Sequence, residues 1–175
     1  DTSTNDSLVL MASGASGVSL TNVGGTFTAS GGSITNAASA DFSVSGGTAN
    51  VTYGGTITDD LGVVVGVSGA TGGTKAFTGA ITDNDDGDGQ GVVLTSNTNA
   101  TITFSGGLVL STGGNPAFTA TGGGTVNVCD ENPCGASGSN GGLVNTLTTT
   151  TGTALNVANT TIGASNLEFR SISAG

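Results

Sequence analysis

The chain has 175 residues, of which Gly, Thr, Ser and Asn fill 97, and twelve acidic residues against one Lys and one Arg set its net charge at −10. With no His, the commonest general base and metal ligand is missing. So few basic residues exclude a phosphate-binding groove and hence nucleic acid as a partner.

The longest unbroken apolar run, 8–12, is far short of the roughly 20 residues that a membrane helix needs, so no membrane span is expected. No basic segment followed by an apolar one opens the chain, so no signal peptide is read, and Asp1 in place of Met suggests a processed or excised chain. Helix formers are scarce, with two Glu and one Lys, while Gly, Thr and Asn disfavour helix interiors. Leu, Ile, Val and Phe number 39, just above the level where disorder becomes the default. Their regular recurrence and a charged fraction of only 8% argue instead for short strands joined by turns.

In chain order, the first unit carries the alternating pair Val18/Leu20, then Phe27, then Gly31-Gly32-Ser33-Ile34-Thr35. The second repeats the order with Phe42/Val44, Tyr53 and Gly54-Gly55-Thr56-Ile57-Thr58. The third has Val65/Val67, Phe77 and Gly79-Ala80-Ile81-Thr82, and the fourth Val92/Leu94, Phe104 and Gly106-Gly107-Leu108-Val109-Leu110. Phe118/Ala120, Val128 and Thr146-Leu147-Thr148 make the fifth, which is lengthened by an insertion at 129–145. The sixth holds Leu155/Val157, Phe169 and Ser171-Ile172-Ser173. Three short strands per unit, repeated about six times, are what a parallel β-helix requires, with like residues stacking in columns about 4.8 Å apart. A β-sandwich would want longer strands, hairpin turns and larger aromatics. The expected fold is therefore all-β: one right-handed parallel β-solenoid domain over 1–175, with an acidic loop at 83–91 and a Cys-containing insertion.

The runs Phe104-Ser105-Gly106-Gly107-Leu108, Ala154-Leu155-Asn156-Val157-Ala158-Asn159-Thr160-Thr161-Ile162-Gly163 and Phe169-Arg170-Ser171-Ile172-Ser173-Ala174 resemble repeat segments of large bacterial secreted or surface proteins. Those are right-handed parallel β-helices, grouped with adhesins and autotransporter passengers. The resemblance implies the fold, a place within a longer chain and a cell-surface setting. It implies no activity, because this fold hosts lyases, tailspikes, adhesins and passive stalks alike.

The one concentrated chemical feature is Asp83-Asn84-Asp85-Asp86-Gly87-Asp88-Gly89. Alternating carboxylates with Gly can wrap a hard cation, but an EF-hand fails because Thr95 stands where the bidentate Glu belongs. Aligning Ile57 with Ile81 sets Asp59 and Asp60 beside Asp83. The candidate metal ligands, for Ca²⁺, are Asp59, Asp60, Asp83, Asp85, Asp86 and Asp88, and the competing reading is a solvated acidic turn. In Cys129-Asp130-Glu131-Asn132-Pro133-Cys134 the Asn-Pro turn can bring the sulfurs together. A disulfide between Cys129 and Cys134, and with it an oxidising extracellular setting, is the favoured reading over two free thiols.

No catalytic set is evident. Lys75 is the one base near the acidic corner and reads better as a solvated turn lysine; Arg170 lies several coils away. Asp59 and Asp85 can meet glycosidase spacing, but no aromatic sugar platform accompanies them. Rows of Ser33, Thr56, Ala80, Thr146 and Ser171, and of Thr35, Thr58, Thr82, Thr148 and Ser173, resemble the ice-binding faces of solenoid antifreeze proteins, with Leu108 and Leu110 breaking the pattern. The expected role is a rigid extracellular segment of a surface fibre, sheath or adhesin rather than an enzyme. Its partners would be itself, end to end or laterally, or neighbouring coils of a longer chain. Calcium-dependent glycan binding or ice binding is the alternative.

Overall fold

The structure, a computed structural model, describes residues 4–5, 8–11, 15–59, 61–84, 89–135, 142 and 144–175. Two short strands, β1 (Thr4–Asn5) and β2 (Leu8–Met11), precede six coils. The first coil holds β3 (Val18–Thr21), β4 (Thr26–Ala29) and β5 (Gly32–Thr35); the second holds β6 (Ala40–Ser45), β7 (Asn50–Tyr53) and β8 (Thr56–Asp59). In the third are β9 (Val63–Ser68), β10 (Thr74–Phe77) and β11 (Ile81–Asp83), and in the fourth β12 (Gln90–Thr95), β13 (Thr101–Phe104) and β14 (Leu108–Ser111). The fifth carries β15 (Phe118–Thr121), β16 (Thr125–Val128) and β17 (Asn145–Thr149), and the sixth β18 (Leu155–Ala158), β19 (Thr161–Leu167) and β20 (Ser171–Ala174). No helix occurs among the described residues.

Every third strand pairs in parallel, making three sheets. Sheet A is β1-β4-β7-β10-β13-β16-β19, sheet B is β2-β5-β8-β11-β14-β17-β20, and sheet C is β3-β6-β9-β12-β15-β18. The chain is thus a parallel β-solenoid, as the repeat predicts. The sheet C column holds in full: Val18, Phe42, Val65, Val92, Phe118 and Leu155 are in register, as are Leu20, Val44, Val67, Leu94, Ala120 and Val157. In sheet B, Ile34, Ile57 and Ile81 form the expected column, which Leu108 continues where the repeat places Val109.

Four residues stand two positions from where the repeat places them. Asn145, not Leu147, faces Leu108, and Leu147 and Ile172 continue the line of Asp59, Asp83 and Leu110. In sheet A, Tyr53, Phe77, Phe104 and Val128 align, but Ala29 rather than Phe27 precedes them and Leu167 rather than Phe169 follows. Phe27 starts the neighbouring line of Val51, Lys75, Ile102, Val126 and Ile162.

Inside, all six Phe make one chain of ring contacts along the axis. Phe27–Phe42, Phe42–Phe77, Phe77–Phe104, Phe104–Phe118 and Phe118–Phe169 have centroids 6.0, 5.2, 5.2, 6.0 and 5.8 Å apart, and Tyr53 joins at Phe42. Each such pair adds about 0.5–1.5 kcal/mol beyond its burial.

The bend after each sheet C strand needs a left-handed residue. Asn22, Gly46, Gly69, Ser96, Gly122 and Asn159 occupy it, with φ from 52° to 78°. Gly takes this conformation without cost, and Asn tolerates it through local hydrogen bonding.

Candidate functional site

The parallel register sets Thr58 against Thr82 and Asp59 against Asp83 on β8 and β11, so the expected juxtaposition of these carboxylates is present. Their setting differs from a solvated acidic corner. Asp59 and Asp83 are each 1% exposed and share an inward line with Leu110 and Leu147. Asp59 accepts hydrogen bonds from Leu61 N–H at Oδ1 and from Gly62 N–H at Oδ2, 3.1 and 3.2 Å, and so closes the turn into β9. A strand ending in Asp favours this arrangement, because a short carboxylate folds back onto the next amides.

A third carboxylate, unmarked by the sequence reading, belongs with them. Asp41 on β6 is wholly buried; its Oδ1 accepts from Ala37 N–H at 2.9 Å, and its Oδ2 has no hydrogen-bond partner among the described residues. Burial lifts its pKa from 3.8 to about 7 against the lowering effect of the Ala37 bond, and the charges of Asp59 and Asp83 push it the same way. Nearby Tyr53, whose hydroxyl donates to Thr56 C=O, is pushed up to about 12 by burial and by Asp41. One signal would have found Asp41: it directly precedes Phe42 in the place that Val64 holds before Val65.

Among the described residues, no group of three or more His, Cys, Asp or Glu is placed to hold a metal ion. Asp60, Asp85, Asp86 and Asp88 lie outside the described residues. Asp59 already serves turn amides with both oxygens.

Lys75 is not a solvated turn lysine. It lies on β10 between Val51 and Ile102 with its side chain fully buried, and its ammonium donates to Gly72 C=O. Burial lowers its pKa. Aligning Thr74-Lys75-Ala76-Phe77 with Thr101-Ile102-Thr103-Phe104 puts Lys75 in an inward slot. Arg170 is exposed in the sixth coil, far along the chain from this corner.

The insertion forms a second decorated corner. Cys129 and Cys134 stand at disulfide distance with Cα atoms 5.5 Å apart. Between them, Asn132 Nδ2 donates to Thr78 C=O at 3.1 Å and Oδ1 accepts from Ser105 Oγ at 3.2 Å, so the loop reaches from the fifth coil to the fourth and third. Behind it, Asn145 occupies an inward slot at 1% exposure. It accepts from Leu108 N–H and donates to Cys129 C=O and Glu168 C=O, all at 2.9 Å. One amide side chain thereby joins the fourth, fifth and sixth coils.

The outer rows differ from those expected. On sheet B, Thr35, Thr58, Thr82, Val109, Thr146 and Ser171 form one line, and Val109 is the interruption; Leu108 and Leu110 point inward and are buried. Thr148 and Ser173 belong to the next line, after Ser111. A more regular array lies on sheet A. Thr26, Asn50, Thr74, Thr101, Thr125 and Thr161 make one row, with Thr28, Thr52, Ala76, Thr103 and Asn127 beside it. On sheet C, Gly66 leaves a shallow open depression bordered by Ser43, Val63 and Val93.

No known protein family, curated protein or solved structure matches this chain.

Proposed function

We propose that this solenoid is a structural, extracellular element: a rigid segment of a surface fibre, sheath or adhesin, without catalytic activity of its own. The observation that carries the reading is the parallel pairing that runs through all three sheets, with one register shift between β16 and β19, threaded by a single aromatic column. Such a stack resists bending and extension because each coil is hydrogen-bonded to its neighbours on three sides. The Cys129–Cys134 pair supports an oxidising compartment. End strands of this kind template further strands, so the segment associates with copies of itself or with further coils of a longer chain. Antibody labelling of intact source cells tests the setting, and electron microscopy of the purified chain tests the assembly. Label confined to permeabilised cells, or monodisperse short particles at every concentration, would overturn the respective part.

A second reading is favoured by the paired rows on sheet A, where Thr26, Thr74, Thr101, Thr125 and Thr161, interrupted by Asn50, stand beside Thr28, Thr52 and Thr103, with strands about 4.8 Å apart along the axis and the rows about 7 Å apart across it. Such a lattice suits an ordered water layer, and hence ice. A thermal-hysteresis assay with Thr52→Tyr and Thr103→Tyr decides: activity lost in both variants supports ice binding, and none in the unaltered chain ends the idea. Calcium capture by Asp60 together with Asp85, Asp86 and Asp88 of the acidic loop, beside Asp59 and Asp83, belongs with this binding reading; terbium luminescence that stays dark discards it.

A further inference from the structure

The corner between sheets A and B turns on Gly55, Gly79 and Gly106, where the stacked coils have no side chains between them. A Cβ added at Gly79 would overlap the Gly55 carbonyl, and one at Gly106 would overlap that of Gly79, so coils two to four stack there backbone upon backbone. Side-chain packing therefore contributes little to register at this corner. The disulfide loop supplies what is missing from outside, since Asn132 bonds Thr78 C=O and Ser105 Oγ in two successive coils. It is anchored from behind by Asp130 N–H donating to Glu168 Oε2 and by Asn145 holding Cys129 C=O.

We propose that the Cys129–Cys134 bond is a redox-operated latch that presses Asn132 onto the glycine corner and locks the third, fourth and fifth coils in register. The bond closes residues 129–134 into a small ring and so separates Asn132 from the rest of a long insertion. Reduction by a dithiol opens it: the dithiol's thiolate attacks one sulfur, the other leaves as a thiolate, and the second thiol of the reductant resolves the mixed disulfide. Two electrons and two protons pass to the protein, which gains two thiols, while the reductant becomes a cyclic disulfide. Cys129 is 1% exposed whereas Cys134 is half-buried, so Cys134 is the sulfur attacked and Cys129 the leaving group. The latch thus closes in an oxidising compartment and stays open in a reducing one.

Hydrogen exchange of the full chain, read by mass spectrometry with and without dithiothreitol, tests this. The expected result is at least about tenfold faster exchange of the Ser105, Leu108 and Cys129 amides after reduction, with the Val44 and Val67 strands unchanged, about 1.4 kcal/mol of local opening. Asn132→Ala, with the disulfide intact, reproduces the faster exchange of Ser105. Brief treatment with a monothiol followed by alkylation traps the mixed disulfide, with the reductant on Cys134 and the alkyl group on the released Cys129. Unchanged exchange, acceleration spread evenly over all coils, a silent Asn132→Ala variant, or free thiols in the air-purified chain would each overturn the latch.

Discussion

Asp41 sits inside the stack with one oxygen bonded to Ala37 N–H and the other buried without a hydrogen-bond partner among the described residues, within the field of the Asp59 and Asp83 charges. A carboxylate so placed is held by its proton. In the unfolded chain it titrates near 3.8, and in the folded one near 7, so between those values the native state binds the extra proton. This contribution is fully present below pH 3.8, declines as pH rises, and is gone above about 7. The gap corresponds to about 4 kcal/mol at most. Urea melts are expected to show stability falling from pH 4 to pH 7.5 in the native chain, with most of that slope removed in Asp41→Asn. A slope unchanged by the substitution would mean that the proton resides elsewhere. Lys75 carries the opposite sign: burial disfavours its charged form, so its cost grows as pH falls below the ordinary lysine value of 10.5 and is complete below its lowered pKa. Both residues are legible only through alignment of the repeat, because a charge among polar turns reads as solvated until the register with Val64 and with Ile102 shows that it occupies a buried slot.

At the scale of the strand, the pleat explains what could and could not be read. Side chains alternate with period two, so an inward residue remains inward when its strand slips by two positions. Of the misplaced residues, Phe27, Leu147 and Phe169 are each two positions from the aligned ones, Ala29, Asn145 and Leu167. The pattern of apolar residues therefore identifies the facing of these strands but not their pairing. Where a distinctive neighbour fixes the offset, as Phe77 and Phe104 do after Lys75 and Ile102, register was legible too. Turns carry their own constraint. The stack at Gly55, Gly79 and Gly106 leaves no room for a methyl group, whereas a Cβ at Gly24 meets only the Thr48 hydroxyl at 3.7 Å. Gly79→Ala is expected to lower stability by about 1–3 kcal/mol, and Gly24→Ala to leave it within about 0.5 kcal/mol. Thermal melts of the two variants compare the positions directly; equal effects would mean that the corner relaxes freely.

For the whole molecule, the relevant coordinate is position along the axis. Apart from the disulfide loop, which reaches the third coil from the fifth, each coil touches only its neighbours, so stability accumulates as coil terms plus interfaces between coils. Phe104 lies mid-stack at 2% exposure, between Phe77 and Phe118, and its loss opens a cavity spanning two interfaces. Phe169 is half-buried in the sixth coil and touches one ring, Phe118. Ile162 and Ile172 in the same coil are 52% and 50% exposed, whereas Val126 and Leu147 one coil below are at 1% and 0%. Phe104→Ala is expected to cost about 3–5 kcal/mol and to shift the single cooperative transition of the chain. Phe169→Ala removes fewer contacts and should cost no more than about 2 kcal/mol, with the loss confined to β18–β20. Hydrogen exchange on dilute, monomeric protein separates the two responses. Faster exchange throughout is expected for the central variant, and faster exchange in the sixth coil alone for the terminal one. If the terminal substitution weakened every coil equally, the stack would be folding as one indivisible unit, and its stiffness would not be a sum of nearest-neighbour interfaces.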